Sequence, residues 1–172
     1  MFKDRGTGMS FSGPTLAETG LFDTTSNVIQ QGTAAQQSAA ATALASAAGW
    51  YITLGTGEKV ISGSVTLANA VFFNTNQPSP PAAGVCASNL GIARNYTVSM
   101  ENGSAVIPYN TSGYTAASRF QVHAGGGYPP TPVPVFVKLS GKIYQVVVSG
   151  TTVLKPPAVP IGARIRTFWK RR

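Results

Sequence analysis

From Gly49 to Pro78 the chain reads GWYITLGTGEKVISGSVTLANAVFFNTNQP, a run in which bulky apolar positions alternate with small or polar ones. Period-2 alternation bounded by turn residues predicts strands with one face buried. Three such runs follow one another, WYITL, KVISGSVTL and AVFFNTN, separated by GTGE and by Ala68, Asn69 and Ala70, and Pro78 stops the last. Further on, ARNYTVSM alternates again, ENGS supplies the Asn-Gly pair favoured in type I′ hairpin turns, and AVIPY returns. GGGYPPTPVP is extended because proline fixes φ and removes backbone donors. PVFVKLSGKIYQVVVSGTTV predicts a second long hairpin turning at Ser140 and Gly141. The closing RIRTFWKRR is strand-like, with Ile165, Thr167 and Trp169 opposite Arg164, Arg166 and Lys170.

One segment breaks this pattern. GTAAQQSAAATALASAAG predicts a short Ala-rich helix near residues 33–48: Thr33 and Gln36 form a capping box, and Gly49 stands at the C-cap position. With Leu44 as its only large apolar side chain, this helix decorates a sheet rather than forming a core. Residues 1–31, rich in Gly, Ser and Thr, read as an irregular lead-in with one or two short strands, and residues 32–172 as one β unit. SVTLANAVFFNTN and PVFVKLSGKIYQVVVSG share a plan of apolar strand, small turn and apolar-aromatic strand, roughly 70 residues apart. Such internal similarity points to a sandwich or to propeller blades with long insertions.

Composition shifts this picture outward. Only 10% of residues are charged while 43% are hydrophobic, so Ser, Thr, Asn and Gln must cover the surface, as is typical of exported β proteins. No 18-residue apolar run offers a membrane span, and MFKDRGTGMSFSGP lacks the apolar core of a signal peptide. A signal encoded upstream of Met1 is therefore expected if the protein is exported. The net charge of +8 is unevenly placed, with no carboxylate after Glu101 and a basic end at Lys155, Arg164, Arg166, Lys170, Arg171 and Arg172. That end reads first as a solvated edge strand, and second as a phosphate-tracking tail.

Candidate chemistry is sparse. His123 is the only histidine, and the carboxylates are Asp4, Glu18, Asp23, Glu58 and Glu101. No G-x-S-x-G elbow, P-loop, dinucleotide fingerprint or calcium loop occurs, and GTGEK reads as a hairpin turn. Cys86 stands alone and leaves pairing, burial or a free thiol open. Asn95, Asn102 and Asn110 begin glycosylation sequons of the sort expected by chance in so polar a chain. Phe72, Tyr96 and Tyr144 could stack bases, but their apolar strand context assigns them to core packing. No catalytic, cofactor or metal site is assigned.

GWYITLGTGEKVISGSVTLANAVFFNTNQP, followed by GVCASNLGIARNYTVSMENGSA, resembles the C-terminal β-propeller of the PilC/PilY family of type IV pilus tip and assembly proteins. HAGGGYPPTPVPVFV and ARIRTFWKRR are similar to the last blade and basic-aromatic end of that family, and the likeness runs from about Asn27 to Arg172. The resemblance implies a mainly β fold of antiparallel strands making about two blades of an incomplete β-propeller, a fragment of a larger domain. It assigns structural roles to Trp50, Tyr51, Gly57, Glu58, Phe72, Phe73 and Trp169. It further implies a noncatalytic role in pilus biogenesis, adhesion and twitching motility at the bacterial cell surface or pilus tip, associated with the outer membrane. The expected partners are pilus subunits, the remaining blades of the parent and, through the parent, a host surface, with no nucleic acid. Calcium is expected in the complete propeller and no cofactor in this segment.

Two other classes compete. A quinoprotein-like propeller enzyme fragment needs Asp, Glu and Asn around its cofactor, and the carboxylate poverty after Glu101 opposes it. A basic nucleic-acid-binding module would rest on residues 164–172 and show binding that falls steeply with salt. Apolar blade faces and unpaired edges template association. Residues 1–172 expressed alone are thus expected to aggregate or unfold noncooperatively, and to be well ordered within the parent. Denaturant unfolding at low concentration checks this, and a monomer with one sharp, concentration-independent transition contradicts it.

Overall fold

The computed structural model of the chain describes residues 18–80, 84, 89–109 and 113–154. Cys86, Asn110 and the segment from Lys155 to Arg172, which includes Trp169, lie outside the described residues. Along the chain come β1 (Phe22–Asp23), α1 (Val28–Gln31), α2 (Ala34–Ser46), β2 (Trp50–Tyr51), β3 (Lys59–Val60), β4 (Val65–Leu67) and β5 (Ala70–Gln77). After these come β6 (Ile92–Ser99), β7 (Phe120–Val122), β8 (Val133–Leu139), β9 (Lys142–Ser149) and β10 (Thr152–Leu154). The fold is mainly β and, apart from the short parallel pair β1–β2, antiparallel. Among the described residues, one sheet runs β3-β5-β6-β7 with β4 also on β5, another runs β10-β9-β8, and neither closes.

β5 and β6 form the spine, paired in register from Ala70↔Ser99 to Gln77↔Ile92. Alternation sends Ala70, Phe72, Asn74 and Asn76 to one face and Val71, Phe73, Thr75 and Gln77 to the other. The expectation of a single buried face is corrected here, because both faces are covered. Phe72 and Ala70 pack with Val147 and Leu154 of the three-stranded sheet. On the opposite face, Tyr96 and Val98 of β6 pack with Trp50, joined by Leu44, Ile52 and Phe73. Complete burial of a side chain the size of Phe72 contributes about 1.5–3 kcal/mol.

The helix starts as expected. Gln36 N–H donates to Thr33 Oγ1 at 3.4 Å and Thr33 N–H to Gln36 Oε1 at 2.9 Å, the reciprocal bonds of a capping box. It ends at Ser46 with Ala47 as its C-cap, before Gly49. Gly49 belongs instead to the strand pairing, its carbonyl accepting Phe22 N–H at 2.9 Å. Within residues 1–31, β1 and α1 tie the described part into the fold, and α1 carries no signal that strand patterning detects.

KVISGSVTL is two strands rather than one. Both β3 and β4 pair with β5, and between them Ser62 Oγ takes over a ladder position by accepting Asn74 N–H at 2.9 Å. The ENGS turn also departs from expectation. Gly103 N–H bonds Ser99 O and Ser99 N–H bonds Ser104 O, so the loop is longer than a two-residue I′ turn. Gly103 takes φ 67°, whereas Asn102 caps Ser104 N–H with its side chain. A Cβ on Gly103 would lie 2.8 Å from the Trp50 ring, which explains glycine there. AVIPY returns only as the bridge Val98↔Ala105, while β7 occupies the edge of β6 instead.

The two similar hairpins match in detail. Ala68 and Asn69 take φ 56° and 61° between β4 and β5, and Ser140 and Gly141 take 48° and 78° between β8 and β9. Positive φ at both central residues is the type I′ geometry, whose twist suits a two-residue hairpin. Toward its turn, β8–β9 exposes apolar side chains on both faces: Phe136 and Ile143 on one, Leu139 and Tyr144 on the other.

Alanine at φ 56° is strained, since a left-handed backbone drives Cβ toward the following carbonyl, and asparagine tolerates that region better. Ala68→Asn is expected to raise the unfolding free energy by about 0.5–1 kcal/mol. Urea unfolding of the two proteins checks this, and an unchanged or lower midpoint contradicts it.

Candidate functional site

GTGE folds as a turn closed by Glu58 N–H on Gly55 O at 2.9 Å, with Gly57 at φ 74° in open space. The turn directs Glu58 inward, where its side chain is 3% exposed. Oε2 accepts Gly55 N–H at 3.1 Å and faces Arg94 Nη1 at 3.3 Å. Oε1 accepts the Thr75 hydroxyl at 2.5 Å and the Tyr96 hydroxyl at 3.1 Å. A desolvated carboxylate is tolerated only with such donors around it. Arg94 Nη2 continues to Gln77 Oε1 at 2.9 Å, and Gln77 Nε2 returns to Thr56 O at 2.8 Å, locking the turn onto β5.

Aromatic rings continue the cluster. Phe73 stacks on Tyr96 with centroids 4.8 Å apart, Phe120 tilts against Tyr96 at 5.1 Å, and the Arg94 guanidinium lies 5.3 Å from the Phe120 centroid. Beside them opens a cavity of about 240 Å³ with Ile52, Tyr96, Arg119 and Phe120 in its walls. Arg119 is 2% exposed and donates from Nη1 to Thr25 O at 2.8 Å, from Nη2 to Thr24 Oγ1 at 2.9 Å, and also to Thr24 O. Burial lowers its pKa to about 10, against the favourable fields of Tyr96 and Asp23. Burial, reinforced by the Glu58 charge and hydrogen bond, raises the Tyr96 pKa well above its ordinary value.

The opposite face of the spine carries a second polar junction. Asn74 Nδ2 donates to Ser149 Oγ at 2.8 Å and Pro130 O at 2.6 Å, while Asn95 Nδ2 donates to Asn74 Oδ1 at 2.7 Å and Ser149 Oγ at 2.9 Å. Asn74, Asn95 and Ser149, all fully removed from water, thus join the two sheets. Asn95, read from sequence as a sequon, is thereby a buried core residue. His123 adds a third tie, Nδ1 lying 3.1 Å from Thr152 Oγ1 of β10.

The residues expected to be structural thus separate. Glu58, Gly57 and Phe73 belong to the carboxylate and aromatic cluster, and Trp50 packs with Tyr96 while its Nε1–H donates to Met100 O at 3.0 Å. Tyr51 is half-buried in β2, Phe72 sits on the other face, and Trp169 lies outside the described residues. Phe72 and Tyr96 face opposite ways and Tyr144 is largely exposed, so these three form no common stacking surface. Arg94, Thr75, Asn74 and Ser149 escaped the sequence reading, although Arg94 stands within the quoted RNYTVSM motif. Arg119 gave no signal, because an isolated arginine in a loop reads as solvated. Among the described residues no three of His, Cys, Asp and Glu lie together as metal ligands. Comparisons with protein-family models, curated proteins and solved structures find no match to this chain.

In the unfolded chain Tyr96 ionises near pH 10, whereas in the folded chain it holds its proton to higher pH. The unfolded state therefore binds fewer protons above pH 10, and stability, constant below that pH, falls as pH rises. Tyr109, its pKa also raised by burial, acts in the same sense. Tyr96→Phe is expected to cost about 1–2 kcal/mol at neutral pH through the lost bond to Glu58, and to flatten the alkaline decline in part. Unfolding measured from pH 8 to about 12 checks both, and an undiminished alkaline slope contradicts the assignment.

Proposed function

We propose that the chain is a noncatalytic β module of the type IV pilus apparatus, acting in pilus assembly, in display of the tip adhesin and in twitching motility. The supporting observation is the convergence at Glu58. GTGEKV, AVFFNTN and RNYTVSM, three of the pieces that carry the PilC/PilY resemblance, supply the carboxylate, Thr75, and the Arg94 and Tyr96 that surround it.

On this reading the two facing sheets are successive blades of a propeller, and the matching I′ hairpins are its repeat. The outer half of β8–β9, which exposes apolar side chains beside Lys138 and Lys142 on its two faces, is suited to flanking sheets supplied by the remaining blades. Calcium belongs elsewhere in the complete propeller. The module acts at the cell surface or pilus tip, with pilus subunits as partners.

Deleting the gene in its bacterial host is expected to lower surface piliation and twitching. Complementation with the wild-type gene restores both, and a Glu58→Ala copy, which removes the carboxylate that faces Arg94, restores less. Unchanged piliation, adhesion and motility in the deletion strain would falsify the proposal.

A further inference from the structure

The cavity beside Tyr96 has an unusual polar end. Arg119 is buried, yet among the described residues no carboxylate lies within ion-pair distance of it, and its described partners are an uncharged hydroxyl and two carbonyls. Of the five N–H groups of a guanidinium, these bonds use three, and the buried Nε–H has no acceptor. Thr25, also in the wall, accepts Thr53 N–H at 2.8 Å on its hydroxyl oxygen and bonds the Asp23 carboxylate with the same hydroxyl. The polar end therefore offers the Arg119 guanidinium, whose charge Asp23 offsets only from beyond ion-pair distance. Ile52, Phe120 and Ala116 line the cavity around it and are apolar in their side chains.

We propose that this cavity binds a monocarboxylate on a short apolar stem, with the carboxylate at Arg119 and the stem against Ile52 and Phe120. An anion compensates a buried guanidinium and completes its hydrogen bonds. The volume, about 240 Å³, falls below that of pockets for drug-sized ligands and suits a group the size of one amino-acid side chain. A phosphate dianion would bring a larger hydration shell against an apolar wall, so the carboxylate fits better. Such a group can be a free short-chain acid or a glutamate side chain presented by a polypeptide. This inference stands apart from the pilus reading, because it uses only the cavity and its walls.

The test is saturation-transfer NMR on the full chain at low concentration, with butyrate and butyramide as probes. Butyrate is expected to bind about tenfold more tightly than the amide, the contribution of one charge-assisted hydrogen bond. Since changing Arg119 risks the fold, Ala117→Leu serves to plug the cavity from its exposed rim. It is expected to abolish butyrate binding while the unfolding transition stays unchanged. A capped Ala-Glu-Ala peptide and its Gln counterpart distinguish the sources: preference for the Glu peptide over butyrate identifies a polypeptide carboxylate, and the reverse a free acid. Equal binding of butyrate and butyramide, no saturable binding of either, or binding untouched by Ala117→Leu overturns the proposal.

Discussion

The Glu58 carboxylate is the constraint on which this arrangement depends. Removing a carboxylate from water costs several kcal/mol, and this one is offset only when a backbone N–H, two hydroxyls and a guanidinium converge on it. Those four groups, three hydrogen-bond donors and one facing charge, come from the GTGE turn, β5 and β6, so satisfying the carboxylate fixes how the turn sits on the strands. Tyr96, held by Glu58, then forms the floor on which Phe73 and Phe120 stack. The wall of the neighbouring cavity is set by the same ring.

The second face of the spine solves a different problem with neutral groups. Asn74, Asn95 and Ser149 are completely buried, and an apolar interface could have served there. Amide and hydroxyl bonds are directional, so they fix the register between the two sheets as well as their contact. Phe72 and Val147 supply apolar burial beside them. A spine covered on both sides follows, with charge and aromatic stacking on one face and an amide junction on the other.

Strand existence was largely legible in the sequence, because period-2 alternation survives in AVFFNTN, RNYTVSM and the β8–β9 hairpin. Ser140-Gly141 was legible for the same reason, as was the Thr33 capping box, which is a local signal. Two-sided burial was not legible. Asn74 and Asn95 occupy core positions, and a polar residue in an alternating run reads as solvent-facing unless its distant partner Ser149 is known. Glu58 was noticed through its turn and its family likeness, but its burial depends on Arg94, far along the chain. The Asn102-Gly103 pair misled because the close approach of Trp50, a tertiary contact, decides the loop. Arg119 was invisible for a similar reason: its acceptors, two carbonyls and the Thr24 hydroxyl, lie far from it in the sequence.

The most direct measurement is a double-mutant cycle between Glu58→Gln and Arg94→Gln, read as unfolding free energies of the four proteins. A desolvated ion pair at the centre of a shared network predicts a coupling of about 2 kcal/mol, with each single change more costly than a surface pair allows. Coupling near zero, with single effects within about 0.5 kcal/mol, would place Glu58 in solvent and contradict its role as the point that joins the turn to the sheet.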